Sequence, residues 1–250
     1  MKIAVISDIH GNIDALESVL FDIEKENCEK IFCLGDIAMA GPEPSLTIEK
    51  IKELIQTKDF HIIQGNTDSM LSVFSFDIYN TLLKANFVMA SAYLDDSKIL
   101  SEEEKLFLKN LPVQKEFEVA GIKILLVHGS PRKNNENIYP DLKIEEVEEM
   151  ISGTNADIVF CGHTHQPCGY QTNTEQTVVN VGSVGRPFSQ TPDSCYAVLE
   201  IDETNSTYTI KHKFVCYDVE KAAKRIEKRG FEGSEKLAKM LIKATSRYPE

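Results

Sequence analysis

The first 64 residues alternate between two hydrophobic periods, and that alternation restricts the fold more than any other feature. KIAVIS at 2–7, the run at 30–34 and FHIIQ at 60–64 are short apolar stretches of the kind that become buried strands. Between the first two, Ile13, Leu16, Val19, Leu20 and Ile23 recur at helical spacing; residues 46–56 do the same between the second and third, with Ser45 as the expected N-cap. The order is βαβαβ, the signature of a parallel sheet flanked by helices.

Residues 68–112 interrupt the rhythm with a helical insertion, whose later part opens on Ser101-Glu102-Glu103-Glu104, a capping-box pattern. Its apolar residues, among them Met70, Leu71, Phe74, Phe76, Tyr79, Leu82 and Leu83, suit either a lid or a satellite core, and core is the plainer reading. Strands are expected at 113–119 and 122–127 around an Ala120-Gly121 hairpin turn, then a helix at 144–152 and a strand at 157–161. Further strands are expected at 176–181, 194–201 and 207–214, the last two joined by a turn at Asn205-Ser206. Amphipathic charged helices at 218–228 and 233–245 close the pattern, either packed on the sheets or serving a homodimer interface. With no internal repeat or low-complexity linker, residues 1–250 are read as one domain carrying the 68–112 insertion and a 218–250 helical extension.

Composition excludes several classes of function. The formal net charge of −12 and the absence of basic runs disfavour nucleic acid as a partner, while a bound cation can still create a local anion site. No stretch approaches the ~20 apolar residues of a membrane-spanning helix, and MKIAVISDIHGN resembles neither a signal nor a transit peptide, so a cytoplasmic protein is expected. The six cysteines form no CxxC pair and read mostly as reduced packing residues.

Five of the apolar strands run directly into polar signals: DIHGN at 8–12, GD at 35–36, GNTD at 65–68, HGS at 128–130 and GHTH at 162–165. Ligands gather at the carboxyl ends of strands in open α/β sheets, so these segments are expected to converge. Together they supply Asp8, His10, Asp36, Asn66, His128, His163 and His165. Each piece alone is ordinary turn chemistry. Jointly, a mixed imidazole and carboxylate set suits transition metals, and seven ligands exceed what a single zinc ion takes. Two metals sharing one carboxylate is the economical arrangement.

The ordered set resembles the calcineurin-like metallophosphoesterase family, whose motifs run D-x-H, G-D, G-N-H-[DE], H-G and G-H-x-H. Asn180-Val181-Gly182-Ser183-Val184-Gly185-Arg186-Pro187 resembles a further segment of its small bacterial and archaeal members. The resemblance implies a four-layer αββα sandwich of two mixed β-sheets flanked by helices. It also implies two divalent transition-metal ions, manganese foremost, with iron, zinc, cobalt or nickel compatible. Site one would be Asp8, His10, Asp36 and His165; site two would be Asp36, Asn66, His128 and His163. Asp36 would bridge the metals, and Asp36, His10 and Asn66 would bear most directly on catalysis. The implied reaction is hydrolysis of small phosphomonoesters, phosphodiesters or nucleotides by in-line attack of a hydroxide shared by the metals.

The sequence departs from the family at Thr67, which stands where the pattern has a histidine that protonates the leaving group. A hydroxyl is far too weak an acid to replace imidazolium near pH 7, so acid assistance is expected to be absent. Asn12 is read either as a phosphate contact or as the cap of the following helix, and Arg186 either as a clamp on the ester or as a structural ion pair. His61 is read as structural, His212 as a solvated surface residue, and Gly41-Pro42 as a plain turn. The alternative to an enzyme is a scaffold of the same fold that has lost catalysis and binds protein partners, for which eroded ligands are expected.

Overall fold

In the computed structural model, which describes residues 1–246, β1 (Lys2–Ile6), α1 (Ile13–Lys25), β2 (Lys30–Cys33), α2 (Pro44–Thr57) and β3 (Phe60–Ile62) realise the expected βαβαβ order. β1 pairs in parallel with β2, and β2 with β3. The start of α2 differs: it begins at Pro44 with Glu43 at the cap position, so Ser45 lies inside the helix. Proline fixes φ near its helical value and lacks the N–H that a first turn cannot use, which makes it the better starter.

The insertion resolves into α3 (Asn66–Ser72), α4 (Phe76–Ala85), α5 (Phe87–Ile99) and α6 (Glu102–Lys109). α6 starts with the expected box: Glu104 N–H donates to Ser101 Oγ at 3.2 Å, and Ser101 N–H donates to Glu104 Oε2 at 2.7 Å. Leu71, Val88, Ala92, Tyr93, Leu100 and Leu108 are buried in the same cluster as the outer face of the first sheet, so most of the insertion extends the main core.

The chain continues with the hairpin β4 (Lys115–Val119) and β5 (Ile122–Leu126), then α7 (Ile144–Met150), β6 (Ile158–Cys161), β7 (Cys168–Gln171) and β8 (Thr177–Asn180). It ends with the hairpin β9 (Ser194–Asp202) and β10 (Thr207–Val215), then α8 (Val219–Arg229) and α9 (Ser234–Ile242). Residues 247–250 of the expected extension lie outside the described residues. The strand β7 is an addition: four residues with Gly169 among them carry too little apolar pattern to mark a strand, and pairing with β8 creates it.

The strands form two mixed five-stranded sheets, ordered β10-β9-β1-β2-β3 and β4-β5-β6-β8-β7. Ile3, Val5, Phe32, Leu34 and Ile63 of the first face Ile124, Leu126, Ile158, Phe160 and Val179 of the second in a fully apolar layer. On the outer face of the first sheet, Leu16, Val19, Ile48 and Ile51 of α1 and α2 share a core with Ala222, Ile226, Leu237 and Leu241 of α8 and α9. Val147 and Ile151 cover the second sheet with Val159 and Val178. The layers are therefore helix, sheet, sheet, helix. His61 makes a side-chain contact with Asp59 at 2.8 Å and packs near Phe32 and Phe117, consistent with a structural role.

Candidate metal centre

The parallel strands β1, β2 and β3 deliver residues 8–12, 35–41 and 65–68 to one edge, and β5, β6 and β8 bring 128–130, 162–165 and 182–186 against them. Backbone hydrogen bonds lace these loops together. Asp8 N–H donates to Gly35 O at 3.0 Å, His10 N–H to Asp36 O at 2.9 Å and Gly162 N–H to His128 O at 2.8 Å. Val184 N–H donates to Ser7 O at 2.9 Å and so ties the two sheets at the site.

Asp8, His10, Asp36, His163 and His165 all have φ between 50° and 67°, the left-handed region that side-chain-bearing residues seldom occupy. Each such residue costs about 1–3 kcal/mol and persists only where its surroundings over-determine it. No sequence signal reported this clustering.

Three imidazoles are fixed by the same device. The Nδ1 atoms of His10, His128 and His165 lie 2.7, 2.8 and 2.5 Å from the carbonyls of Met39, Leu34 and Arg186. A carbonyl can only accept, so each Nδ1 carries hydrogen and each Nε2 is turned inward. His10 Nε2 and His165 Nε2 stand 3.1 Å apart. Two neutral rings would face one another there with lone pairs, an arrangement that a cation between them relieves.

The carboxylates complete the cluster. Asp8 Oδ1 lies 3.2 Å from His165 Nε2, 3.7 Å from His10 Nε2 and 3.9 Å from His128 Nε2. It is fully buried and has no hydrogen-bond partner. Asp36 Oδ2 lies 3.7 Å from His10 Nε2 and 3.4 Å from His128 Nε2, and so stands between the two sides. Asp8 shares that central place, which the reading of Asp36 as sole bridge did not anticipate. Two groups, Asp8-His10-His165 and Asp8-Asp36-His128, have ligand atoms within 4.8 Å of one another. Asn66 Oδ1 is 3.0 Å from His128 Nε2, and the His163 ring centroid is 5.3 Å from that of His128. An orphaned buried oxygen among converging imidazole nitrogens fits divalent transition-metal ions.

The carboxylates and imidazoles set one another's charge. Burial would raise the Asp8 carboxyl, but His165, His10 and His128 outweigh it and hold the group well below the usual carboxylate range. Asp36 is lowered in the same way, His128 and His10 outweighing burial. Burial lowers His10 and His163 and favours their neutral forms. Burial opposes the charge on His128, yet Asp36 and Asp8 carry it up to about 10.

Two residues inside the quoted motifs, given no role there, lie behind the site. Asp68 is fully buried; its Oδ2 accepts from the N–H of Asp36 at 2.8 Å and of Gly65 at 2.9 Å, and its Oδ1 from that of Ile37 at 2.8 Å. Burial and the nearby Asp36 raise its carboxyl to about 7. Asn180 is likewise fully buried, and its amide donates to Gly162 O at 2.7 Å and Thr164 Oγ1 at 2.8 Å. His212 Nε2 donates to the Asn180 carbonyl at 2.8 Å. That bond corrects the surface reading of His212: it is partly buried and joins β10 to the strand behind the site.

Of its two readings, Asn12 takes the cap. Its Oδ1 accepts from Ala15 N–H at 3.2 Å, while its Nδ2 donates to Gly185 O at 2.9 Å and Tyr217 Oη at 3.1 Å. Fully buried with both amide hydrogens engaged, it caps α1 and leaves no donor for a phosphate. Gly41 is also more than a turn, since a Cβ on it would stand 1.5 Å from the His10 carbonyl oxygen.

Comparison with known proteins places these observations in a family. A model described as the calcineurin-like phosphoesterase superfamily domain matches residues 1–204. An uncharacterised protein of Methanocaldococcus jannaschii is 31% identical over 243 residues, covering 90% of this chain and 92% of its own. Among solved structures, a hypothetical protein from Pyrococcus horikoshii OT3 has a TM-score of 0.85 at 24% identity, covering 97% of this chain and 98% of that one. A metallophosphoesterase from Sphaerobacter thermophilus has a TM-score of 0.74 at 25% identity, covering 98% and 99%. Fold, motif order and family model agree, and the chain belongs to the calcineurin-like phosphoesterase superfamily.

Proposed function

We propose that this chain is a dinuclear metal-dependent phosphoesterase acting on small phosphomonoesters, phosphodiesters or nucleotides. Asp8, His10, Asp36 and His165 would hold one ion, and Asp36, Asn66, His128 and His163 the other. The observation that carries this reading is the convergence of three carbonyl-anchored imidazoles on a buried Asp8 oxygen with no partner. Bound there, divalent cations supply the Lewis acidity that ionises a water near neutral pH and offsets phosphoryl charge.

The remaining steps belong to the chain's own groups. Arg186 is 6% exposed, and its guanidinium makes one hydrogen bond among the described residues, from Nη1 to Met89 Sδ at 3.6 Å. Burial lowers it to about 10 against the pull of Asp36 and Asp8, so it stays a cation at pH 7. A buried cation without an ion pair suits an anionic ester oxygen. Phe188 stacks on the His165 ring, with centroids 4.3 Å apart, and limits that ring's motion. Thr67 donates its N–H to Asp36 Oδ1 at 2.8 Å, while its buried hydroxyl has no partner. That hydroxyl can hydrogen-bond a substrate oxygen but cannot serve as a general acid near pH 7, so substrates with stable leaving groups are favoured.

The test couples metal analysis of the Mn²⁺-reconstituted chain to hydrolysis of p-nitrophenyl monoesters, diesters and nucleotides. Two ions per chain and turnover abolished by Asp36→Ala are expected. Less than one ion per chain with no turnover on any ester would overturn the proposal and leave the scaffold reading.

A further inference from the structure

The segment Met39-Ala40-Gly41 bears on His10 at two points. The Met39 carbonyl accepts the Nδ1 hydrogen at 2.7 Å, and Gly41 lies against the His10 backbone closely enough to exclude any side chain. Ala40 between them has φ +63°, a left-handed conformation in a residue that bears a Cβ. Such a segment keeps its shape only if something holds it.

Two side chains remote in sequence do so. Asp96 of α5, fully buried, accepts the Ala40 N–H on Oδ2 at 2.8 Å. Arg229, the last residue of α8, donates from Nη1 to the Gly41 carbonyl at 2.6 Å and from Nη2 to Asp96 Oδ1 at 2.7 Å. Its guanidinium carbon lies 5.0 Å from the Phe231 ring centroid, and its side chain is 8% exposed. The clamp thus joins the insertion and a C-terminal helix beyond the residues that the family model matches.

We propose that Asp96 and Arg229 are positioning residues for His10: by holding Ala40 and Gly41 they fix the Met39 carbonyl that sets the imidazole tautomer and aims Nε2 at the first metal site. The inference rests on the reading of His10 as a ligand in the proposed function. Neighbouring Asp95 provides an internal control, since it also pairs with Arg229 but makes no bond to residues 39–41.

The test is calorimetric titration of Mn²⁺ into the metal-free full-length chain and its Asp96→Ala, Asp96→Asn, Arg229→Met and Asp95→Asn variants, with ¹⁵N imidazole spectra of His10. Asp96→Ala and Arg229→Met are expected to weaken one class of site about ten- to hundredfold, the usual effect of losing a partner behind a ligand, and to leave the other class unchanged. The same variants should show a mixed His10 tautomer. Asp96→Asn should fall between wild type and Asp96→Ala, because an amide oxygen still accepts the Ala40 N–H, and Asp95→Asn should bind as wild type. If Asp96→Ala fails to fold, the asparagine pair decides: equal affinities for Asp96→Asn and Asp95→Asn overturn the proposal. Wild-type affinities in folded Asp96→Ala or Arg229→Met also overturn it. A wild-type chain that takes up no Mn²⁺ removes the metal reading itself, a different failure from two intact sites that ignore the clamp.

Discussion

Replacing Gly65 with alanine isolates the placement of Asp36 from backbone effects. Gly65 has φ −83° and ψ 172°, a conformation alanine adopts freely. On backbone entropy alone the substitution should stabilise the fold by about 0.4–1 kcal/mol. The added Cβ, however, would stand 2.1 Å from Asp36 Oδ1 and 2.3 Å from Asp36 N. Close carbon–oxygen contacts settle at about 3.3 Å, so the two groups must separate by about 1 Å. Asp36 cannot rotate away cheaply, because its N–H is held by Asp68 at 2.8 Å and its Oδ1 by Thr67 N–H at 2.8 Å. We therefore expect a net loss of about 1–3 kcal/mol from overpacking, and about a hundredfold loss in kcat/KM from a 1 Å displacement at the reacting centre. Urea unfolding and p-nitrophenyl ester hydrolysis at saturating Mn²⁺ measure the two effects. A Gly65→Ala chain that is more stable than wild type and within twofold of its activity would refute the placement of Asp36.

Three other expectations follow from the same geometry. Thr67→His should flatten the dependence of rate on leaving-group pKa across a series of aryl and alkyl phosphates, and an unchanged slope would count against the missing-acid account. Asn12→Ala should lower stability by about 1–3 kcal/mol, through the lost cap and two stranded acceptors, with KM unchanged; a raised KM at intact stability would restore it as a phosphate contact. Burial raises Asp96 from 3.8 to about 6 despite Arg229, with Asp95 adding to the rise, so the stability it contributes is present below pH 3.8 and is lost as pH rises through 6. Wild type should therefore gain about 2 kcal/mol relative to Asp96→Asn between pH 7 and pH 4 in urea unfolding, and parallel pH curves would contradict that assignment.

Legibility in the sequence followed the range of the interactions. The strands and helices of the first 64 residues were readable because burial on one face writes a period into the chain, and the strand-end motifs were readable because parallel strands send their carboxyl ends to one edge. Features made by partners far away were not. β7 has little pattern of its own, Asn12 is assigned by Gly185 and Tyr217, and His212 by Asn180. The clamp on Ala40 and Gly41 joins residues 56 and 188 positions apart, a separation that no local pattern reports. Backbone strain at Asp8, His10, Asp36, His163 and His165 is likewise imposed by the packed loops; Asp and His are enriched at left-handed φ, but too weakly for the residue type to mark these positions.

The central claim is that the imidazole Nε2 atoms and carboxylates converge on two cation sites. Anomalous diffraction from a crystal of the Mn²⁺-loaded chain tests it most directly. The account predicts two anomalous peaks about 3.5–4 Å apart, one among Asp8, His10, Asp36 and His165 and the other among Asp36, Asn66, His128 and His163. A single peak, or peaks away from these residues, would contradict it.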